Sequence, residues 1–518
     1  HHRSSAASDV YKRQQINTVQ HLRLLKILSY PWLIFISIIF LTFIFLGFTQ
    51  PLNEYVTTSL IIKMTSNTLL LCMLVAIFTS LIAVPCSIFV TMFDFYGRKF
   101  FSWALCLSLA FPIYVYAFIF VGAAEEISFI SSSIRENIVL SALIMSLGLY
   151  PYTFLLCKAQ LRKTGVSIFK ASKSLGKNNF QTIYLILLPS LKPAIIAGTV
   201  LCIFETISDF GGVATLGINT LTVGIFNIWF GYQDLISGAK ISLMLFLLAM
   251  IILYISKLSS ESRKSSGAGK ANHSLIKPSK IFNFSIALFC SFVFVITFIF
   301  PFMQLIVWSS ENIKNNIPLE LIFNSFFIGF IVALAASVIA IILSLGSFKS
   351  SNKIIFNLST IGYAIPGSVL AVSLLLVFSF YFDLSVTVFG IWGLFLCLVI
   401  RFITPLIRYL DAALSSMAEE TLSATRIYSK SLLKTFRNIY FPALYPSLLL
   451  GFLVVFIEVI KEQPATLLLR PVGFDTLSSK IYNFTSEGQW ELAATPSIAM
   501  ILLSLILVLI LNNRVDNE

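Results

Sequence analysis

Apolar runs separated by short polar connections recur from near the start of the chain to its end. Each is about 20 residues long, enough to cross a hydrocarbon core of roughly 30 Å as a helix. The pattern predicts spans near residues 31–49, 67–93, 103–121, 138–157, 193–209 and 239–256. A second set is predicted near 281–308, 324–347, 354–381, 386–409, 446–462 and 494–511. The expected fold class is all-α integral membrane with about twelve transmembrane helices, and no sizeable soluble domain is left over. Composition agrees, because 57% of residues are hydrophobic and only 11% are charged, whereas soluble domains carry about a quarter charged residues.

Either side of the stretch from Ser256 to Lys280, rich in Ser, Gly and Lys, the same landmarks return. That composition suits a flexible polar connector. Pro189, Pro193 and Gly198 match Pro442, Pro446 and Gly451 at a constant separation of 253 residues. Asn67 with Asn324, "LAFP" ending at Pro112 with "YAIP" ending at Pro366, and Glu205 with Glu458 keep nearly that separation. The chain reads as two six-span copies fused into one polypeptide. An even span number gives both copies the same orientation, a parallel repeat about an axis along the membrane normal. The expected division is 1–14 as an extension unrelated to the rest of the chain, 15–256 as the first repeat, 257–280 as the linker and 281–518 as the second repeat.

The formal charge of +13 raises nucleic acid as a partner, but the basic residues fall in alternate loops, as membrane topology requires. The segment after span 4 carries Lys158, Arg162, Lys163, Lys170, Lys173, Lys177 and Lys192 without an acid, while the preceding loop holds Glu125, Glu126, Arg135 and Glu136. The first is expected in the cytoplasm and the second outside, which places the linker and both termini in the cytoplasm. Cys72, Cys86, Cys106, Cys202, Cys290 and Cys397 lie in or at the ends of apolar segments with no CxxC spacing, and read as packing residues. His1, His2, His21 and His273 lie outside the spans, so a metal inside the membrane would need oxygen ligands.

The loop after span 4 reads "FKASKSLGKNNFQTIYLILLPSLKPAIIAG". A small-residue turn of helix at Ala171 to Leu175 meets Gly176, suited to a left-handed helix end, and Pro193 suits the first turn of span 5. On these residues the chain resembles the permeases of binding-protein-dependent ATP-binding-cassette importers. Their "EAA" loop has a small-residue helix, a Gly, about a dozen residues and then Leu-Pro, and its helix sits in a cleft of the ATPase subunit. The resemblance implies a type I importer permease fold and makes Ala171, Ser172, Leu175 and Gly176 contacts of an ATPase. The second copy, "TLSATRIYSKSLLKTFRNIYFPALYPSLLLG", puts Ala424, Thr425, Tyr428 and Ser429 at the same positions. The chain departs from the family at Lys170, where Glu is usual, and at Ser429, where Gly is usual, so coupling is expected to be asymmetric.

After span 11, "FIEVIKEQPATLLLRPVGFDTLSSKIYNFTSEGQWELAATP" resembles the ferric-iron branch of these permeases, where "KE-PATLLLRP-GFDTL" is typical. "ETISDFGGVATLGINTLTVGIFNIWF" is similar to the matching segment of the first copy. Thiamine importer permeases share the fused architecture and related loops. Glu205 and Asp209, like Glu458 and Glu462, stand four residues apart, as on one helix face. A charge at such depth faces a cavity or a partner. These acids read either as a gate or path for a hard cation, with transient Fe(III) contact through carboxylate oxygen, or as partners of Lys461, Lys240 or backbone amides. Tyr482 and Tyr114 read as further oxygen ligands or as interfacial anchors, and Pro112 and Pro366 as kinks or helix ends.

The expected function is thus a permease, in the bacterial cytoplasmic membrane, that passes Fe(III) from a periplasmic or extracellular binding protein by alternating access. No "GxxxxGK[ST]" occurs in the chain, so ATP and Mg belong to a separate ATPase, expected as a homodimer. The chain itself is expected to bind no cofactor, to catalyse no reaction and to contact lipid rather than nucleic acid. A thiamine or other small-solute importer is the alternative within the class. An ion-coupled secondary transporter would explain the spans and the acids, though not the paired loops.

Overall fold

The computed structural model describes the backbone of residues 2–126, 135–261, 275–312, 318–348, 362–382, 386–417 and 432–517. The chain opens with α1 (His2–Thr49), α2 (Thr58–Met92), α3 (Arg98–Ala104), α4 (Ile113–Glu126) and α5 (Ile138–Ser174). It continues with α6 (Asn179–Thr182), α7 (Leu188–Ser208), α8 (Gly211–Thr215), α9 (Leu221–Phe226) and α10 (Leu235–Glu261). Next come α11 (Lys280–Phe294), α12 (Phe300–Asn312), α13 (Leu319–Ser347), α14 (Gly367–Phe382) and α15 (Val386–Ser415). It ends with α16 (Leu432–Thr435), α17 (Phe441–Lys461), α18 (Pro464–Leu469), α19 (Leu477–Ser486) and α20 (Trp490–Asn517).

Among the described residues nine helical segments are long and apolar enough to cross a membrane, and α3 with α4 adds a tenth if that bent pair is one span. Shorter apolar helices cover Gly367–Phe382 and Trp490–Leu505. Every predicted span overlaps helix, although residues 354–361 of the ninth lie outside the described ones. The third span is not one rod. It breaks by 88° between Ala110 and Ile113, where Phe111 turns extended at φ −89° and ψ 125°. Pro112 lacks an N–H and disfavours helical geometry in the residue before it, which explains the break. Pro366 repeats the arrangement, following a short turn at Gly362–Ala364 and starting α14 by accepting from Leu370 N at 3.1 Å.

Span 5 departs from the expectation for Pro193. Helix resumes at Asn179, widens into a π turn over Ile183–Leu187 and continues through α7, with Pro193 well inside. Proline removes one backbone donor, and the wider ring just before Pro189 accommodates that loss. Span 11 has the same build, with α16, a π turn at Phe436–Tyr440 and α17 beginning 253 residues after their counterparts.

The chain forms two compact units, one of residues 1–50 and 323–474, the other of 51–322 and 475–518. The sequence repeats and these units divide the chain differently. In the first unit α17 packs on α15, and Gly451 has no room for a side chain because a Cβ would lie 2.7 Å from Leu406 Cδ2. In the second unit α7 packs on α5, and a Cβ on Gly198 would lie 2.5 Å from Thr153 Cα. Gly198 and Gly451, landmarks of the duplication in sequence, are therefore equivalent points of close helix approach. Small residues allow such contact in a membrane, where dispersion replaces hydrophobic driving force.

The second unit also gathers α11, α12 and α20. Phe89 and Phe93 of α2 meet Phe282 edge-on, and backbone bonds join Asp94 N to Ile276 O and Ile276 N to Met92 O, each at 2.9 Å. At the other end of α4, Trp308 Nε1 donates to Glu126 at 2.7 Å, Trp490 Nε1 donates to Glu125 at 2.8 Å, and Arg135 pairs with Glu125 at 2.8 Å. All seven cysteines are buried and unbridged, which fits packing.

Two measurements check this packing. Gly198→Ala should lower the thermal midpoint of the purified protein, since overpacking of this kind destabilises by about 1 to 3 kcal/mol. Gly231→Ala, whose Cβ would meet nothing within 4 Å, should leave the midpoint unchanged or raise it. Asp234 accepts hydrogen bonds from Asn53 Nδ2, from Tyr55 Oη at 2.6 Å and from Ser237 N at 3.0 Å. Burial works to raise its pKa, but the bonds from Ser237, Tyr55 and Asn53 outweigh it and hold the carboxyl at about 2, below the ordinary 3.8. A depressed carboxyl stabilises above its unfolded pKa and loses that contribution as pH falls through the folded one. Thermal midpoints should therefore drop between pH 4 and 2 in the wild type, and Asp234→Asn should flatten part of that drop.

Candidate functional site

The two ends of span 5 and of its repeat carry the residues singled out by sequence. At the first end, α5 stops at a left-handed Gly176 with φ +76°. Leu175 N and Lys177 N both donate to Ser172 O at 3.2 Å, the second being the outer bond of a Schellman cap. Asn178 Oδ1 then accepts from Gln181 N at 2.8 Å and starts α6. The Ser172 hydroxyl, almost wholly buried, contacts Thr182 Oγ1 at 2.8 Å and so ties the outgoing helix to the incoming one. Leu175 is 78% exposed at the tip, and a Cβ on Gly176 would meet nothing within 4 Å. Ala171 lies in the last turns of α5. The tip is a partly apolar knob that exposes Leu175. Ala424, Thr425, Tyr428 and Ser429 of the second copy lie outside the described residues.

At the other end the acids separate into two kinds. Glu205 and Glu458 sit within α7 and α17 and are half-buried. Asp209 and Glu462 lie one residue past those helices, with ψ 129° and 122°. In each pair the second acid closes the helix rather than continuing it, and Asp209 N still bonds Glu205 O, one turn below, at 2.9 Å. The reason is local: Asp209 Oδ2 accepts from Val213 N at 3.0 Å, and Glu462 Oε1 accepts from Ala465 N at 3.2 Å. Each carboxylate supplies an acceptor to the opening turn of the next short helix, α8 or α18, where backbone donors lack partners. Glu462 is also 3.8 Å from Arg401 Nε, with side chains only 2% and 12% exposed. The backbone amides offered by sequence as partners are thus met at Val213 and Ala465, whereas the pattern does not reveal Arg401 because it is remote in the chain.

The segments beyond match as well. Gly217 and Gly473 are left-handed at φ +76° and +86°, and Thr220 and Thr476 cap α9 and α19 through their side chains. The shared "Gly-x-[Asn/Asp]-Thr-Leu" in "GINTL" and "GFDTL" is the available signal, with its glycine at the turn and its threonine at the cap. Tyr482 of α19 packs against Phe210 and Phe226, at ring distances of 5.2 and 5.8 Å. It lines a cavity of about 410 Å³ together with Arg135, Thr215, Thr485, Ser486 and Glu487. Tyr114 is buried, with its hydroxyl 3.1 Å from Met500 Sδ. Among the described residues no three His, Cys, Asp or Glu side chains gather to hold a metal ion.

Comparison with known proteins fits this geometry. The chain is 27% identical over 455 residues to the Fe(3+)-transport system permease protein FbpB 2 of Haemophilus influenzae, an alignment spanning 85% of the chain and 87% of that protein. It is 23% identical over 398 residues to the ferric transport system permease protein FbpB of Actinobacillus pleuropneumoniae, spanning 71% of the chain and 57% of that protein. Residues 83–263 and 336–516 each match the family described as binding-protein-dependent transport system inner membrane component. These two matches begin 253 residues apart, the separation found for span 5 and its counterpart. The chain belongs to that family, as a multi-pass membrane permease carrying the family's domain twice.

Proposed function

We propose that the chain is the importer permease that carries Fe(III), released by a periplasmic or extracellular binding protein, across the cytoplasmic membrane by alternating access. A separate pair of ATPase subunits supplies ATP and Mg, and both termini face the cytoplasm. The observation that carries this reading is mechanical. From Asn179 to Ser208 the chain is continuous helix, roughly 45 Å long at 1.5 Å per residue. Its first end is bonded through Thr182 to the Gly176 knob, and Glu205 and Asp209 stand at its far end. A push on the knob displaces the acids. Leu432 to Lys461 repeats the rod in the second copy.

Iron as cargo rests on the names of the two relatives and on carboxylate oxygen as the preferred ligand of a hard cation. Glu205 and Glu458 are the acids best placed for transient contact, while Asp209 and Glu462 shape the turns beside them. Ala171, Ser172, Leu175 and Gly176 form the first ATPase contact, and Ala424, Thr425, Tyr428 and Ser429 the second. The pairing of these loops in the sequence favours an ATPase partner over ion coupling.

Reconstitution with the ATPase and loaded binding proteins tests the reading. A ferric-loaded protein should stimulate ATP hydrolysis; stimulation by a thiamine-loaded one alone would reject iron. Leu175→Asp should weaken ATPase association at least tenfold in pull-down titrations and leave the thermal midpoint unchanged, since Leu175 is exposed.

A further inference from the structure

The two repeats solve the same junction differently. In the first, Ile113 starts α4 right after Pro112, and a Cβ on Gly212 would lie 3.1 Å from Ile113 Cγ2 and 2.6 Å from Asp209 Oδ2. An apolar side chain thus fills the space beside the shorter acid. In the second, Gly367 stands at the position of Ile113 and Ala465 at that of Gly212. A Cβ on Gly367 would collide with Glu462 Oε1 and lie 2.8 Å from Arg401 Nη1. The space vacated by the isoleucine is taken by an ion pair. Arg401 bonds Ile365 O through Nη1 at 3.1 Å and faces Glu462 Oε1 through Nε at 3.8 Å, while that oxygen accepts from Ala465 N at 3.2 Å. Pro151 and Pro405 align the helices here, and Arg401 falls opposite the uncharged Leu147.

We infer that Arg401 is a positioning residue for transport: it joins the break before α14 to the junction of α17 and α18, so that these segments move as one body. It acts through Glu462, which is thereby a counter-ion rather than a cargo ligand. The first repeat cannot build the same tie, because a leucine at the matching position carries neither charge nor donor. A buried carboxylate paired with guanidinium and backbone N–H is held in one geometry, whereas the Ile113 contact is non-directional.

This inference rests on the importer reading, and the test separates the two. In the reconstituted complex, Arg401→Gln should lower uptake per ATP hydrolysed at least tenfold, with the maximal rate changed rather than the half-saturating concentration of loaded binding protein. Glu462→Gln should match it, and the double variant should be no worse than either single one, as for residues acting as a unit. Arg401→Lys should restore part of the loss, and Gly367→Ala, which leaves both charges in place, should reproduce it. Amide exchange needs no cargo: segments 362–368 and 463–469 should both accelerate in Arg401→Gln and Gly367→Ala, while 108–114 stays unchanged. Unaltered uptake per ATP, additive losses in the double variant, or acceleration of one segment alone would overturn the inference. If Arg401→Gln fails to assemble, Arg401→Lys and Gly367→Ala decide. Absence of ferric uptake by the wild-type complex would count against the iron reading alone and leave the exchange result standing.

Discussion

Inside an apolar medium every backbone N–H and C=O must find a partner within the protein, and the breaks, turns and caps around spans 3, 5 and 11 are local answers to that constraint. Pro112 and Pro366 break their spans, and short turns at Leu107–Ala110 and Gly362–Ala364 carry the chain into the next helix. The π turns before Pro189 and Pro442 widen the ring where a donor is missing. Asp209 and Glu462 end two spans and cap the short helices beyond them. Once these junctions are fixed, the glycines at 198 and 451 bring neighbouring helices into close contact.

The same constraint explains why acids sit where they do. A carboxylate that accepts from a helix start is stabilised by the unpaired donors there, so Asp209 and Glu462 have structural work independent of any cargo. Glu205 and Glu458 stand one turn earlier, inside their helices and half-buried, where no helix start needs an acceptor. The difference between acids that shape a turn and acids held within a helix emerges from helix ends, not from charge alone. It also shows how a rod anchored at a knob can present chemistry at its far end.

Much of this is legible in the sequence because membrane helices leave strong signals. Apolar runs mark the spans, and recurring Pro, Gly and Glu mark the duplication. Gly176 announces its left-handed cap, since only a residue without Cβ takes that geometry freely. What stays hidden depends on tertiary proximity or on backbone detail. The four-residue spacing of the acids does not show that the second of each pair ends its helix, because nothing in the pattern marks that end. Pro193 reads as a helix start, since a π turn has no compositional signature. Nothing in the sequence pattern singles out Arg401, and only the fold brings it to Glu462 beside Gly367.

The loop end and the acid end of span 5 belong to one rigid rod, and transport by this route depends on that. Spin labels at the exposed positions 181 and 201, on either side of the π turn, with their separation measured in the resting and ATP-bound complex, test it most directly. An unchanged separation is predicted, because the rod moves as a body. A shift of about 5 Å, one helical turn, would show that the rod bends at its π turn and would contradict it.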